Sequence, residues 1–323
     1  MNRREFIALV SGAALVPAFS AQAQDTRRYR LGVLNAQGRS GSPAFVAFFD
    51  ELRQLGFIEG QNLIVDGRGY AARAEQFPAL ARELVKDKVD AIVCGGPAAT
   101  RAAQQATQAI PILANVDDIV AAGAVGSLAH PGGNITGISF LATELDGKRQ
   151  EILMELMPRA RRMAALVDAN ATAIQRIEAL RETTRARGVE LARYVIERPE
   201  RIVTAIEEAK RSGAEALNVL ASPVLNARRM DIFDRTSALR LPAIYQWPES
   251  AEEGGLIAYG PRLAQIYRQM ARQLGKILRG AKPAQVPVEQ PTAFELVVNT
   301  GVAKTMDFEV PASLVLRADK VIE

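Results

Sequence analysis

The chain of 323 residues is 48% apolar and 24% charged, a composition that is typical of a globular protein and excludes a disordered or collagen-like one. Its net charge of +4 comes from 40 basic and 36 acidic residues without a long basic run, so no nucleic-acid partner is predicted. One cysteine excludes an internal disulfide, and one histidine excludes most histidine-based metal or relay chemistry. We therefore expect two domains, no metal and no cofactor.

The first 23 residues have the pattern of an export signal. Two arginines at 3–4 form a charged start, residues 6–19 are apolar and small, and Ala-Gln-Ala at 21–23 is typical of a cleavage site. The apolar run is shorter and more broken than the ~20 residues that span a bilayer. We predict cleavage after Ala23 and a periplasmic mature protein without a transmembrane segment. Residues 2–7 resemble a twin-arginine motif; a Sec signal or an uncleaved anchor are the alternatives.

The first part of the mature chain alternates short β-rich runs with helical patterns. In chain order the predicted elements are strand 30–35, helix 45–55, strand 63–66, helix 76–86, strand 90–94, an alanine-rich helix and strand 110–114. A Gly/Ser loop at 37–43 follows the first strand, and Gly95-Gly96-Pro97 follows the third. This β-α-β-α order predicts a parallel, doubly wound sheet.

The same order then starts again. The predicted elements are strand 135–140, helix 145–156, strand 163–167, helix 174–187, strand 190–196, helix 202–212, strand 216–220, helix 228–239 and strand 242–245. After them come strand 256–259, a long helix from Pro261 to Leu278, a proline-marked connector, strand 294–299, a short helix and a last segment at 314–318.

These patterns predict an α/β fold with two doubly wound parallel-sheet lobes joined by a hinge that the chain crosses several times. The late elements exceed what a second lobe needs, which favours a return to the first lobe. We predict a first lobe of residues 24–136 plus 258–289 and a second lobe of residues 137–257 plus 290–323.

The candidate binding residues stand beyond the carboxyl ends of the predicted strands, where ligands of open parallel sheets collect. The first lobe contributes Asn35, Gly95, Gly96, Pro97, Asp117 and Asp118. The second lobe and the hinge contribute Asn170, Ser222, Tyr245, Trp247 and Tyr259.

Each of these candidates has a functional and a structural interpretation. The turn at 95–97 can present backbone N–H groups to a carboxylate, or it can simply start a helix. Asp117 and Asp118 can pair with an ammonium group, or they can cap the following turn. Tyr245 and Trp247 can stack on a ligand, or they can fill a seam between the lobes.

Motifs of nucleotide-binding and hydrolytic enzymes are missing from the sequence. It contains no phosphate-binding loop of the G-x-x-x-x-G-K-[ST] type, no G-x-G-x-x-G after the first strand and no G-x-S-x-G elbow. His130 lies in a predicted turn, and Cys94 lies at a buried strand end. The candidate set therefore lacks a nucleophile with its relay, and we predict that the protein is not an enzyme.

Several stretches, spread over the mature chain, resemble one family in this order. They are residues 55–62 (LGFIEGQN), 127–137 (SLAHPGGNITG), 254–261 (GGLIAYGP) and 290–299 (QPTAFELVVN), together with the export segment at 3–7. The chain resembles the ABC-transporter substrate-binding family typified by the tryptophan/tyrosine-binding component TrpX. The resemblance implies a type I periplasmic binding protein that delivers a small ligand to a membrane permease and its ATPase.

The resemblance also implies a ligand and its contacts. Better-known relatives imply an aromatic amino acid, whose carboxylate would meet Gly95 and Gly96 and whose amine would meet Asp117 or Asp118. The residues that would close over it from the second lobe are Asn170, Ser222, Tyr245 and Tyr259. The segment at 66–70 departs from the aromatic-rich segment that relatives carry after the second strand, which predicts a different rim on the first lobe.

Three classes of function remain open on the sequence. The first is a monomeric transport receptor for a small molecule. The second is a ligand-sensing protein that acts through a membrane kinase or chemoreceptor, and the third is an exported α/β enzyme. Adjacent permease and ATPase genes would favour transport, and an adjacent kinase gene would favour sensing.

Overall fold

The structure of the protein is a computed structural model that describes residues 27–323. The predicted export signal at 1–23 and its cleavage site lie outside the described residues. Two β-sheets, one of five strands and one of seven, form the centres of two lobes. The predicted α/β fold with two parallel-sheet lobes is confirmed.

The first lobe is built on a fully parallel sheet with the strand order β2-β1-β3-β4-β5. Its elements are β1 (Tyr29–Asn35), α1 (Pro43–Gln54), β2 (Leu63–Tyr70), α2 (Phe77–Lys86), β3 (Ala91–Gly95), α3 (Pro97–Ala106), β4 (Ile112–Val116) and β5 (Ile135–Ser139). Strands β3, β4 and β5 are buried along their whole length, because helices cover both faces of a parallel sheet.

The second lobe contains the strand order β12-β11-β10-β9-β8-β6-β7. Its first elements are α4 (Ala142–Leu156), β6 (Arg162–Asp168), α5 (Ile174–Arg185), β7 (Glu190–Ile196), α6 (Arg201–Arg211), β8 (Ala216–Val219), α7 (Pro223–Ala227), α8 (Arg229–Ala238), β9 (Ala243–Tyr245), α9 (Pro248–Glu252) and β10 (Ile257–Gly260). After a long helix, α10 (Leu263–Leu278), come β11 (Glu295–Asn299), α11 (Thr300–Thr305), α12 (Ala312–Arg317) and β12 (Lys320–Ile322). Strand β11 runs antiparallel to β10, and the other pairs are parallel.

The long helix α10 packs against the first lobe. Its apolar face, including Tyr267, Met270 and Leu274, packs in one core with Phe45 and Phe48 of α1. The connector that follows runs beside β5, where the Thr136 hydroxyl donates to the carbonyl of Val286 at 2.6 Å. The chain therefore crosses between the lobes after β5, after β10 and before β11.

Strand pairing moves two of the predicted lobe boundaries. The boundaries at 136 and 258 fall inside β5 and β10, which lie wholly in the first and the second sheet. Each strand continues its own sheet to its last residue, so the crossings follow Ser139 and Gly260. The five-residue helices α7 and α9 were not predicted, and the segment at 314–318 lies mostly in α12.

Candidate functional site

A small cavity, here called the interlobe cavity, lies where the strand ends of the two sheets face each other. Seven of the predicted binding residues line it: Asn35, Gly95, Gly96, Pro97, Asp117, Ser222 and Trp247. Residues that the site prediction omitted also line it, among them Gln37, Asn115, Phe140, Pro223, Asn226, Gln246 and Tyr267. Its volume is about 40 Å³, which is room for roughly three water molecules. The two lobes are therefore closed on each other.

The floor of the interlobe cavity is a hydrogen-bonded group of amides and one tyrosine. The Asn35 side-chain nitrogen donates to the Tyr267 hydroxyl at 3.3 Å, and the Asn35 side-chain oxygen accepts from the backbone N–H of Gln37 at 2.9 Å. Asn115 accepts from the backbone N–H of Gly96 with its side-chain oxygen at 3.1 Å. Burial raises the pKa of Tyr267, so its hydroxyl stays protonated. These groups are satisfied within the first lobe and hold the floor rigid.

The glycines of the 95–97 turn make room for side chains. A Cβ at Gly95 would lie 2.3 Å from the side-chain nitrogen of Asn35. Gly96 has φ +90°, and its Cβ would lie 2.7 Å from Cγ of Pro223 in the other lobe. The Gly96 N–H also donates to the backbone oxygen of Asn115 at 2.9 Å. The turn therefore admits one side chain from each lobe, and the donors left at this helix start are the first-turn N–H groups of α3.

Asp117 belongs to a buried ion-pair network that joins the two lobes. Its carboxylate pairs with Arg176 of α5, which also donates from Nε to Asp146 of α4 at 3.0 Å. Asp146 pairs in turn with Arg149, whose guanidinium donates to the carbonyl of Tyr259 at 3.1 Å. The four charged side chains are at most 15% exposed. The charge of Asp117 is thus already partnered, and by the opposite lobe.

The buried position of Asp117 raises the pKa of its carboxyl group. The pKa of Asp117 is raised to about 6: desolvation and the nearby carboxylate of Asp146 raise it, and they outweigh the opposite effect of Arg176 and Arg149. Arg176 faces two carboxylates, and their charges raise its pKa despite its own burial. When Asp117 is protonated, Arg176 therefore still has its ion pair with Asp146.

Four predicted binding residues lie away from the interlobe cavity, and the first is Asp118. It is exposed, and its carboxylate accepts from the backbone N–H groups of Val120 and Ala121 at 3.1 and 2.9 Å. This is the capping interpretation, which the sequence left open beside the ammonium interpretation. Capping turns the carboxylate towards its own chain.

The tyrosines Tyr245 and Tyr259 also lie away from the interlobe cavity. The Tyr245 ring is buried in the core of the second lobe edge-on to Phe233, with centroids 4.9 Å apart, and its hydroxyl bonds to that of Thr236 at 3.1 Å. Tyr259 packs beside a core cluster of the second lobe and offers its carbonyl to Arg149. Strand alternation sends each ring into the core of its own lobe, away from the strand ends.

Trp247 fills the seam between the lobes. It follows β9 of the second lobe, yet its ring packs in the core of the first lobe and meets the edge of Phe140 at a centroid distance of 5.5 Å. Its side chain also borders two smaller cavities of about 20 Å³ each. It is the only tryptophan of the sequence and is 8% exposed. Its exposure therefore depends on how closely the lobes approach.

A wider space, here called the mouth cavity, opens beside the interlobe cavity between the same two lobes. Its volume is about 770 Å³, and Asn170, the fourth displaced candidate, lies here with Asp168. Asp168 is 3% exposed; its carboxylate accepts from the Ser222 hydroxyl at 2.5 Å and from the Asn170 N–H at 2.9 Å. Ser222 lines the interlobe cavity, so the pair Asp168–Ser222 joins the two spaces.

Gln246 is a buried amide at the interlobe cavity with an unused donor. It follows β9, is 4% exposed, and its side-chain nitrogen has no hydrogen-bond partner within residues 27–323. A signal for this residue existed in the sequence, since it stands at a strand end between the predicted Tyr245 and Trp247. Its burial next to a cavity required the tertiary structure.

Between residues 27 and 323, no group of three or more His, Cys, Asp or Glu side chains could hold a metal ion. No helix in the same range has both the length and the apolar character needed to cross a bilayer.

Comparison with known proteins places the chain among binding proteins. A family model described as ABC transporter substrate binding protein matches residues 42–322. A protein named tyrosine-binding protein, from Clostridioides difficile, is 24% identical over 268 residues, which cover 81% of this chain and 76% of the relative.

Solved structures share the fold at low sequence identity. A conserved domain protein from Vibrio cholerae superposes with a TM-score of 0.81 at 22% identity, covering 92% of this chain and 99% of the other. An ABC domain in complex with L-Trp from Streptococcus pneumoniae gives 0.76 at 19% identity, covering 90% and 100%. A ligand-free, open substrate-binding protein from Clostridium difficile gives 0.59 at 21% identity, covering 92% and 99%.

Proposed function

This chain belongs to the family of ABC transporter substrate-binding proteins, and we propose that it captures an amino acid between its two lobes and delivers it to the permease and ATPase of an ABC importer. Members of the family bind solutes and are not enzymes. They act outside the cytoplasm with a transporter as partner, and the resemblance drawn from the sequence is confirmed at this level.

The observation that carries the proposal is the pair of cavities between the lobes. The mouth cavity, at about 770 Å³, falls in the 300–1,000 Å³ range of small-molecule sites. The interlobe cavity beside it combines a polar amide floor with the aromatic rings of Phe140 and Trp247. Such a lining suits a small molecule that has both hydrogen-bonding groups and an apolar side chain.

An amino acid is supported by the relatives and by the polar groups left over at the cleft. The relative from Clostridioides difficile is named a tyrosine-binding protein, and the Streptococcus structure contains L-Trp. In this chain, the unused donor of Gln246 and the first-turn N–H groups of α3 are available for a carboxylate. The interlobe cavity alone is too small for an aromatic ring, so entry requires the lobes to separate.

From the sequence, we also propose how the protein is exported and processed. Export by the segment at 1–23, with cleavage after Ala23, would release a periplasmic, monomeric protein that starts at Gln24. N-terminal sequencing of the exported protein tests the cleavage. An intact Met1 in the membrane fraction would indicate an anchored protein instead.

A thermal-shift screen of the mature protein against the twenty common amino acids, purines and organic acids tests the proposed function. A ligand at about 100 times its Kd stabilises the folded state by about 2.7 kcal/mol, which a melting curve resolves. We expect stabilisation by at least one amino acid. Stabilisation by purines or organic acids alone would contradict the amino-acid assignment and leave the family assignment intact.

A further inference from the structure

We propose that Asp168 binds the ammonium group of the ligand, a role that the sequence pattern gave to Asp117 or Asp118. The inference rests on the proposed function, because it names the residue that binds the ammonium group of an amino acid. It is carried by two observations on the second lobe: a buried carboxylate without a cationic partner, and a buried amide donor without an acceptor.

Asp168 is a buried carboxylate that is held by hydrogen bonds to uncharged groups. Its hydrogen bonds come from one hydroxyl, on Ser222, and one backbone N–H, of Asn170. No ion pair within the described range reaches it, although Arg73, Arg198 and Arg228 line the same mouth cavity. A buried charge is costly unless it is paired, so this position is suited to receive a cation from outside the protein.

Asp117 is the alternative partner for the amine, and its surroundings differ. Its carboxylate pairs with Arg176, so an ammonium group would have to share it with a guanidinium. Asp118 is exposed and caps a turn. Of the three carboxylates, Asp168 is the one that is buried, borders a cavity of ligand size and lacks a basic partner.

The place of Asp168 in the fold also fits a ligand group. It is the last residue of β6, and Ser222 follows the neighbouring strand β8, so both lie at the carboxyl edge of the second sheet. The hydrogen bond between them holds the carboxylate at the junction of the mouth and interlobe cavities. An ammonium group bound there leaves the rest of the ligand free to extend into either space.

Gln246 supplies the complementary polarity from the same lobe. It borders the interlobe cavity together with Ser222, and its side-chain nitrogen is an unused donor. A buried donor without an acceptor costs about 1–3 kcal/mol, which a ligand oxygen would recover. An acceptor for the amine and a donor for an oxygen thus stand at one sheet edge, as a zwitterion requires.

The test combines Asp168→Asn with three probes that differ in single groups: L-tyrosine, tyramine, which lacks the carboxylate, and 3-(4-hydroxyphenyl)propionate, which lacks the amine. Affinities are measured by calorimetric titration of the mature protein. Losing the partner of a buried charge weakens binding by roughly 30- to 5,000-fold. We expect that loss for L-tyrosine and tyramine, and no change for the probe that lacks the amine.

Matched variants separate this role from a structural one. Asp50→Asn, an equal change at an exposed position of α1, should bind all three probes as the wild type does. Asp117→Asn acts on lobe closure and should shift all three probes together. Asp168→Glu moves the carboxylate without removing it, so only the two amine-bearing probes should weaken; this comparison stands even if Asp168→Asn does not fold.

Two outcomes would overturn the inference. One is an equal loss for all three probes in Asp168→Asn, which would indicate a structural residue, and the other is loss of the preference for the amine in Asp117→Asn alone. If no amino acid binds the wild type, the proposed function fails separately. In that case, the role of Asp168 is supported if an amine probe stabilises the wild type but not Asp168→Asn. The role is rejected if no amine binds the wild type.

Discussion

The burial of Asp117 between the two lobes predicts that closure of the lobes depends on pH. In the closed arrangement burial raises the pKa of Asp117 from 3.8 to about 6. We expect the carboxylate to meet water and regain its ordinary pKa when the lobes separate. Neutral Asp117 therefore favours the closed form, and this contribution is fully present below pH 3.8 and is lost as the pH rises through about 6.

The size of the effect follows from the two pKa values. The difference corresponds to about 3 kcal/mol of closing free energy, since one pKa unit is worth about 1.4 kcal/mol. Asp117→Asn carries no titrating group, and Arg176 keeps its pairing with Asp146. The variant should therefore close equally well from pH 4 to pH 8, whereas closure of the wild type weakens over the same range.

The fluorescence of Trp247 measures closure directly, because this single tryptophan is buried at the seam between the lobes. We expect the wild-type emission to shift to longer wavelength between about pH 4 and pH 7, and the emission of Asp117→Asn to stay constant. Asp118→Asn, which alters the neighbouring exposed carboxylate, should follow the wild type. Identical pH profiles for the wild type and Asp117→Asn would refute this account of the network.

Three further expectations concern the contacts at the cleft. Gly96→Ala should hold the lobes apart in the ligand-free protein, because the new Cβ would meet Pro223 and the φ of +90° disfavours a side chain. Small-angle scattering should therefore give a larger radius of gyration for Gly96→Ala than for Gly133→Ala, whose new Cβ would lie in open space. Gln246→Leu should leave the urea midpoint of unfolding unchanged or raise it, since an unpaired buried amide is replaced by an apolar group. The affinity of this variant for the identified ligand should fall by about 5- to 150-fold. An unchanged affinity would show that Gln246 does not contact the ligand. Ligand binding to the wild type should reduce the radius of gyration, and an unchanged radius would count against hinge closure.

The element order was largely predictable from local patterns. Apolar runs such as Ala91–Gly95 form strands that are buried on both faces. Pro261 precedes a long amphipathic helix that ends at Leu278. These signals act over a few residues, where periodicity and turn chemistry are legible in the sequence. The rule that ligands gather at the carboxyl ends of parallel strands selected eleven candidates, and seven of them line the interlobe cavity.

What each candidate does at the cleft depended on partners that are distant in the chain. Asp117 meets Arg176 across the lobes, and Asn35 meets Tyr267 on a helix that returns from the second lobe. Local spacing carries no information about such pairs, because they form only when both lobes have folded and closed. The sequence by itself determined the two-lobed architecture and pointed to the sheet edges that line the interlobe cavity. Only the tertiary structure decided that Asp117 forms an ion pair and that Asp168 is buried without an ion-pair partner among the described residues. The physical reason is that burial and counter-charge are properties of the packed molecule.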